Sequence, residues 1–103
     1  MAGRSVKLAL ALPDFMIDLE AALVPLGRGD LLEQLKHAEV QRWTFDDFAD
    51  TTYLTFREGS YAERFSLYDQ LGVNVDLDEN GRVCGLEILE GRRIAERLDG
   101  STA

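Results

Sequence analysis

The segment VNVDLDENGRVCGLEIL, from Val73 to Leu89, restricts the fold of this chain more than any other. Val73, Val75 and Leu77 alternate with Asn74, Asp76 and Asp78, and beyond the middle of the segment Cys84, Leu86 and Ile88 alternate with Val83, Gly85 and Glu87. A period of two on both sides is the mark of half-buried strands. Between them stands Asn80-Gly81, a favoured pair for a two-residue type I′ turn whose central residues both need positive φ. That turn predicts the pairs Glu79/Arg82, Asp78/Val83, Leu77/Cys84, Asp76/Gly85, Val75/Leu86, Asn74/Glu87 and Val73/Ile88. One face then carries Val73, Val75, Leu77, Cys84, Leu86 and Ile88, and the other carries Asn74, Asp76, Asp78 and Glu87. A slip by one residue mixes the faces, so the hydrophobic pattern selects this pairing.

The same residues imitate a calcium loop. Asp76, Asp78, Asn80, Gly81 and Glu87 occupy positions 1, 3, 5, 6 and 12 of the EF-hand pattern, and Val83 supplies its apolar position. An EF-hand needs an entering and an exiting helix to bring its oxygens around one ion. Neither flank here has helical periodicity, so the segment is predicted as a hairpin with no metal site. Cation binding by Asp76, Asp78, Asn80 and Glu87, on a solvent-facing acidic face, stays open as the alternative.

A chain of 103 residues makes one domain, and one of this size buries roughly 60–70% of its unfolded surface. Its 11 basic and 19 acidic residues leave a net charge of −8, which argues against a surface that tracks nucleic-acid phosphates. The start MAGRSVKLALAL is broken by Lys7 and ended by Pro13-Asp14. It is too short for an export signal or a membrane span and is expected to be an edge strand or a helix start. Cys84 is the single cysteine; on the apolar face it is an ordinary buried thiol, which fits a reducing cytoplasm.

Pro13 suits the first position of a helix in which Phe15, Leu19, Ala22, Leu23 and Leu26 form the apolar stripe, stopped by Pro25 and Gly27-Arg28-Gly29. Asp30, with Glu33 three residues on, resembles a capping box, and Leu31, Leu32, Leu35 and Ala38 continue as the stripe of a second helix. A DNA-reading helix needs basic and polar residues, whereas this one offers Glu33, Gln34, Lys36, His37 and Glu39. Residues 13–39 are therefore expected to pack as a helical hairpin on a sheet or on another subunit. Strands are expected around Trp43 and Phe45, from Thr52 to Phe56 and from Ala62 to Asp69, with turns at 46–50 and 58–60. Ile94 and Leu98 anchor a short helix over 91–98, and residues 99–103 are expected to fray. The predicted fold is α+β, one domain over 1–103: an antiparallel sheet of about five strands over 40–90, packed against the amino-terminal helical hairpin, with a short carboxy-terminal helix.

The run TFDDFADTTYLTF, followed by GVNVDLDENGRVCGLEILEG, resembles the YuzE-like family of small bacterial proteins, a domain of unknown function. The resemblance covers about residues 43–91 and rests on Phe45-Asp46, Thr52 to Phe56, and Val73, Val75, Asp76, Asp78, Gly81, Val83, Gly85, Leu86, Glu87, Ile88 and Leu89. It implies a compact antiparallel sheet with a helical element, and no reaction, substrate or cofactor. The chain departs from the family pattern in Phe45, where Tyr is usual, and in its long amino-terminal segment.

No Ser-His-Asp order, phosphate-binding glycine loop or His/Cys metal spacing occurs, and His37, the one histidine, has no Asp, Cys or His beside it in sequence. No catalytic residue, cofactor or metal is therefore expected. Arg92, Arg93 and Arg97, diluted by Glu90 and Glu96, read as a solvated helix face. Trp43, Phe45, Tyr53, Phe56 and Tyr68, with Asp46, Asp47 and Asp50, are either sheet core and turns or the lining of a ligand pocket. The expectation is a cytoplasmic protein-interaction or self-associating module, a homo-oligomer or the partner of another protein, with neither nucleic acid nor membrane as its target. The alternative is a small-ligand or divalent-cation binder using the acidic face of the 73–89 hairpin.

Overall fold

A computed structural model describes residues 5–59 and 61–102. The expectations for residues 1–4, Ser60 and Ala103 lie outside these. The elements run β1 (Val6–Lys7), α1 (Leu8–Ala11), α2 (Pro13–Leu23), α3 (Gly29–Lys36), β2 (Glu39–Val40), β3 (Arg42–Asp46), β4 (Thr51–Thr55), β5 (Glu63–Leu67), α4 (Tyr68–Leu71), β6 (Val73–Leu77), β7 (Val83–Leu89) and α5 (Arg92–Thr102). Strands β3 to β7 form one five-stranded antiparallel sheet in the order β3-β4-β7-β6-β5, and β1 pairs with β2 in a separate two-stranded ribbon. The fold is α+β, with the five-stranded antiparallel sheet and the amino- and carboxy-terminal helices that were expected. Tyr68 and Asp69, expected to end a strand, instead begin α4, and the β1–β2 ribbon was not foreseen.

One face of the sheet is the core face. Leu54 and Phe56 of β4 and its exit, Val83, Leu86 and Ile88 of β7, Val73, Val75 and Leu77 of β6, and Leu67 of β5 share one apolar cluster with Leu8, Leu12, Phe15, Leu19, Leu23, Leu31, Leu35 and Leu98 of the helical layer. Burying each such side chain contributes roughly 1.5–3 kcal/mol, enough to hold helices that would be marginal alone. Pro25 has no N–H to continue the ladder, so α2 ends at Leu23, and Leu26 falls beyond it, 44% exposed, instead of joining the stripe. The capping box is not formed: the Asp30 carboxylate accepts from the Arg28 guanidinium at 2.9 and 3.0 Å, and Glu33 reaches His37 at 3.1 Å. At the carboxy terminus α5 continues to Thr102, so residues 99–102 are helical where fraying was expected.

The 73–89 hairpin keeps the expected pairs Val73/Ile88, Asn74/Glu87, Val75/Leu86 and Asp76/Gly85, then departs from them. Leu77 faces Val83, not Cys84. The turn explains the difference. Among the described residues positive φ occurs at Gly81 (77°) and not at Asn80, so the turn is not type I′. The Asp78 carboxylate accepts from Asn80 N and Arg82 N, both at 2.9 Å, while Gly81 N donates to Asp78 O at 3.0 Å and Asp78 N to Arg82 O at 2.8 Å. This is a three-residue loop, a type I turn closed by a left-handed glycine, and it contains one residue more than the type I′ turn. A bulge between Asp76 and Leu77 on one side, with Cys84 as the extra residue on the other, restores the register further along. Its consequence is an exchange of faces: Val83 joins the apolar cluster, and Cys84 turns to the open face, where it stays buried as expected, at 6% exposure.

Candidate functional site

Among the described residues the second sheet face carries no helix, and antiparallel register lines up its side chains across all five strands. One row reads Arg42, Thr55, Gly85, Asp76, Arg64; the next reads Thr44, Tyr53, Glu87, Asn74, Ser66. Charged and polar groups dominate both rows, yet Asp76 is fully buried (0% exposed). A carboxylate removed from water needs several partners to offset its lost hydration. Asp76 has them. Arg64 donates from Nε to Oδ1 at 2.8 Å and from Nη2 to Oδ2 at 3.2 Å, and the Tyr53 hydroxyl donates to Oδ2 at 2.6 Å. The third arm of Arg64 donates to Glu87 Oε1 at 3.0 Å, which also accepts from Asn74 Nδ2 at 2.9 Å. The Tyr61 ring lies 5.5 Å from the guanidinium carbon and covers it from outside.

Gly85 makes this network possible. Gly85 lies between Thr55 and Asp76 in its row, and the Tyr53 ring leans over it from the next row, so a Cβ there would meet the phenol, with Cζ at 2.6 Å and Cε2 at 2.9 Å. The absent side chain is the space through which the hydroxyl reaches Asp76.

Burial, followed by the hydrogen bond to the negative Asp76, pushes the Tyr53 hydroxyl well above its ordinary range. Burial, followed by the nearby Asp76 charge, also pushes the Cys84 thiol up. Its Sγ donates to Asp76 O at 3.4 Å. Both groups are thus kept protonated at neutral pH, the opposite of what an activated nucleophile requires. The Arg64 guanidinium is held protonated above its usual range by its bond to Asp76.

The calcium-loop residues are divided by the turn and the register. Asp76 points into the Arg64–Tyr53 network, Asp78 turns back on its own loop, Asn80 is exposed, and Glu87 binds Arg64 and Asn74. Backbone N–H groups of Arg82 and Asn80 hold the Asp78 carboxyl below its usual range. Among the described residues no group of three or more His, Cys, Asp or Glu is placed to hold a metal ion. The picture of Asp76 on a solvent face is corrected: it is on that face, but sealed beneath Arg64 and Tyr53.

The five aromatic residues do not line one pocket. Tyr53 lies on the open face, Phe56 in the core, Trp43 packs against the core half-buried, and Tyr68 is 62% exposed at the sheet's end. Asp46 accepts from Phe48 N and Ala49 N and so shapes the β3–β4 turn, while Arg92 reaches Asp47 and covers the Phe45 ring at 5.0 Å. His37 is exposed at the end of α3, with Glu33 as its partner. Arg64 was missed by periodicity, because its strand alternates weakly; only pairing with β6 brings it to Asp76.

No helix among the described residues is long and apolar enough to cross a membrane. No curated protein and no solved structure matches the chain. Residues 42–90, the span of the five-stranded sheet from β3 to β7, match the family model described as DUF2283, protein of unknown function. The match covers the sheet, and Tyr53, Arg64, Asp76, Gly85 and Glu87 fall within its bounds, while the amino-terminal helices and α5 lie outside it.

Proposed function

We propose that this chain is a cytoplasmic protein-interaction module without catalytic activity. The observation that carries the reading is a set of large apolar side chains left in water: Leu10 at 76%, Ile17 at 64%, Val24 at 55%, Phe48 at 102% and Tyr68 at 62% exposure. The reading takes these groups as anchors that a partner covers, since exposed apolar side chains gathered into a patch mark interaction surfaces and buried aromatics dominate their energetics. The polar groups of the open sheet face support the same reading from the other side. Tyr53, Arg64, Asn74, Asp76 and Glu87 are spent on one another, and within this network none is set as a nucleophile beside a base. A net charge of −8 disfavours nucleic acid as the partner. The YuzE-like resemblance over 43–91 is compatible with the matched sheet, and the amino-terminal helices lie outside both.

Native mass spectrometry of the tagged protein, isolated gently from its own cells, tests this. A complex with one defined protein, or a homo-oligomer, is the expected result. A bare monomer, or added mass from calcium or a small ligand, overturns it; in the second case Asp76→Asn with Glu87→Gln would show whether the hairpin holds the ligand.

A further inference from the structure

Two of the exposed apolar side chains, Phe48 and Tyr68, belong to the same end of the sheet, which has a charged setting of its own. The β3–β4 turn, the end of β7, the β5–β6 connection and the start of β6 meet at one end of the sheet. There an open cleft is lined by Ala49, Tyr68, Leu71, Gly72 and Leu89, with Asp69, Gln70 and Glu90 at its edges. Phe48, the neighbour of the lining residue Ala49 in the β3–β4 turn, is fully in solvent, and Tyr68 of the lining is 62% exposed. The same end collects Asp46, Asp47, Asp50, Asp69 and Glu90. Arg92 answers Asp47, but no Lys or Arg lines the cleft.

Resting on the reading above as an interaction module, we infer that this end of the sheet docks a basic segment of a different protein, with Phe48 and Tyr68 as its apolar anchors and Asp46, Asp69 and Glu90 as the charges that select it. Charge complementarity decides the occupant. A second copy of the chain, itself at −8, would set carboxylates against carboxylates across a two-fold contact. A nucleic acid is repelled for the same reason. A Lys- or Arg-bearing segment with aliphatic side chains covers the aromatics and neutralises the rim together.

The test places a photoreactive benzoylphenylalanine at Phe48, and separately at Ile17 on α2, in the full-length protein within its own cells, and sequences the cross-linked peptide. The expected adduct at Phe48 joins a segment of another protein that is net positive. Its yield falls about tenfold in the triple variant Asp46→Asn, Asp69→Asn, Glu90→Gln, which keeps its helix and sheet content, as three exposed charge pairs lost together would produce. An adduct with this chain itself, with a neutral or acidic segment, no adduct at Phe48, or a yield unmoved by the triple variant overturns the inference. An adduct at Ile17 alone overturns it while leaving the interaction reading standing; a monomer by native mass spectrometry with no adduct at either position removes both.

Discussion

Gly85→Ala tests the polar network at its narrowest point. The new methyl group would overlap the Tyr53 phenol, whose Cζ and Cε2 lie 2.6 and 2.9 Å from the Cβ position, so the ring must swing away. The swing breaks the 2.6 Å bond from the Tyr53 hydroxyl to Asp76, which is 0% exposed and is left with Arg64 alone. A hydrogen bond to a charged group contributes roughly 1.5–3 kcal/mol, and exchanging Gly for Ala at a backbone any residue can adopt returns about 0.4–1 kcal/mol through the unfolded chain. The net loss is about 2 kcal/mol, which in a domain of this size lowers Tm by about 10 °C and the urea midpoint by about 1 M. Urea and thermal unfolding of Gly85→Ala, Tyr53→Ala and the double variant measure it. In the Tyr53→Ala background the ring is gone and Gly85→Ala should cost nothing, whereas Tyr53→Phe would relieve little because the ring carbons remain. Equal stability of Gly85→Ala and the parent, or the same loss in both backgrounds to within about 0.5 kcal/mol, would refute the steric link between Gly85, Tyr53 and Asp76.

Two further expectations concern the same face. Because Tyr53 keeps its proton in the fold while the unfolded chain loses it near pH 10, its contribution is complete below that pH and falls above it by up to about 1.4 kcal/mol per pH unit. Urea unfolding between pH 8 and 11, in a Cys84→Ser background so that the raised thiol does not contribute, should show this slope flattened by Tyr53→Phe; identical slopes would sink the assignment. Arg64→Leu leaves the buried Asp76 without its cation and, because Arg64 is itself 36% exposed, should cost about 2–3 kcal/mol, below the range for a fully buried pair. Adding Asp76→Asn should recover most of that loss at the urea midpoint, and a double variant as unstable as the single one would contradict the buried-charge account.

Much of this molecule was determined locally, and the sequence alone revealed that part. The period-two runs at 41–45, 52–56, 73–77 and 86–88, the helical stripes through Phe15, Leu19 and Leu23 and through Leu31 and Leu35, and the strand pairs from Val73/Ile88 to Asp76/Gly85 follow from which side chains must leave water. The turn did not follow, because Asn80-Gly81 suits two turn types and Asp78, by accepting from its own loop, selected the longer one. That single residue sent Val83 inward and Cys84 outward, a difference that no alternation pattern encodes. The network on the open face belongs wholly to tertiary structure: Tyr53, Arg64 and Asp76 come from three strands, and only the order β4-β7-β6-β5 puts them around one carboxylate. In sequence Asp76 and Glu87 are the first and last residues of a calcium-loop pattern; in the fold Arg64 bridges the two carboxylates, because strand pairing, which depends on the whole sheet's burial, decides who their neighbours are.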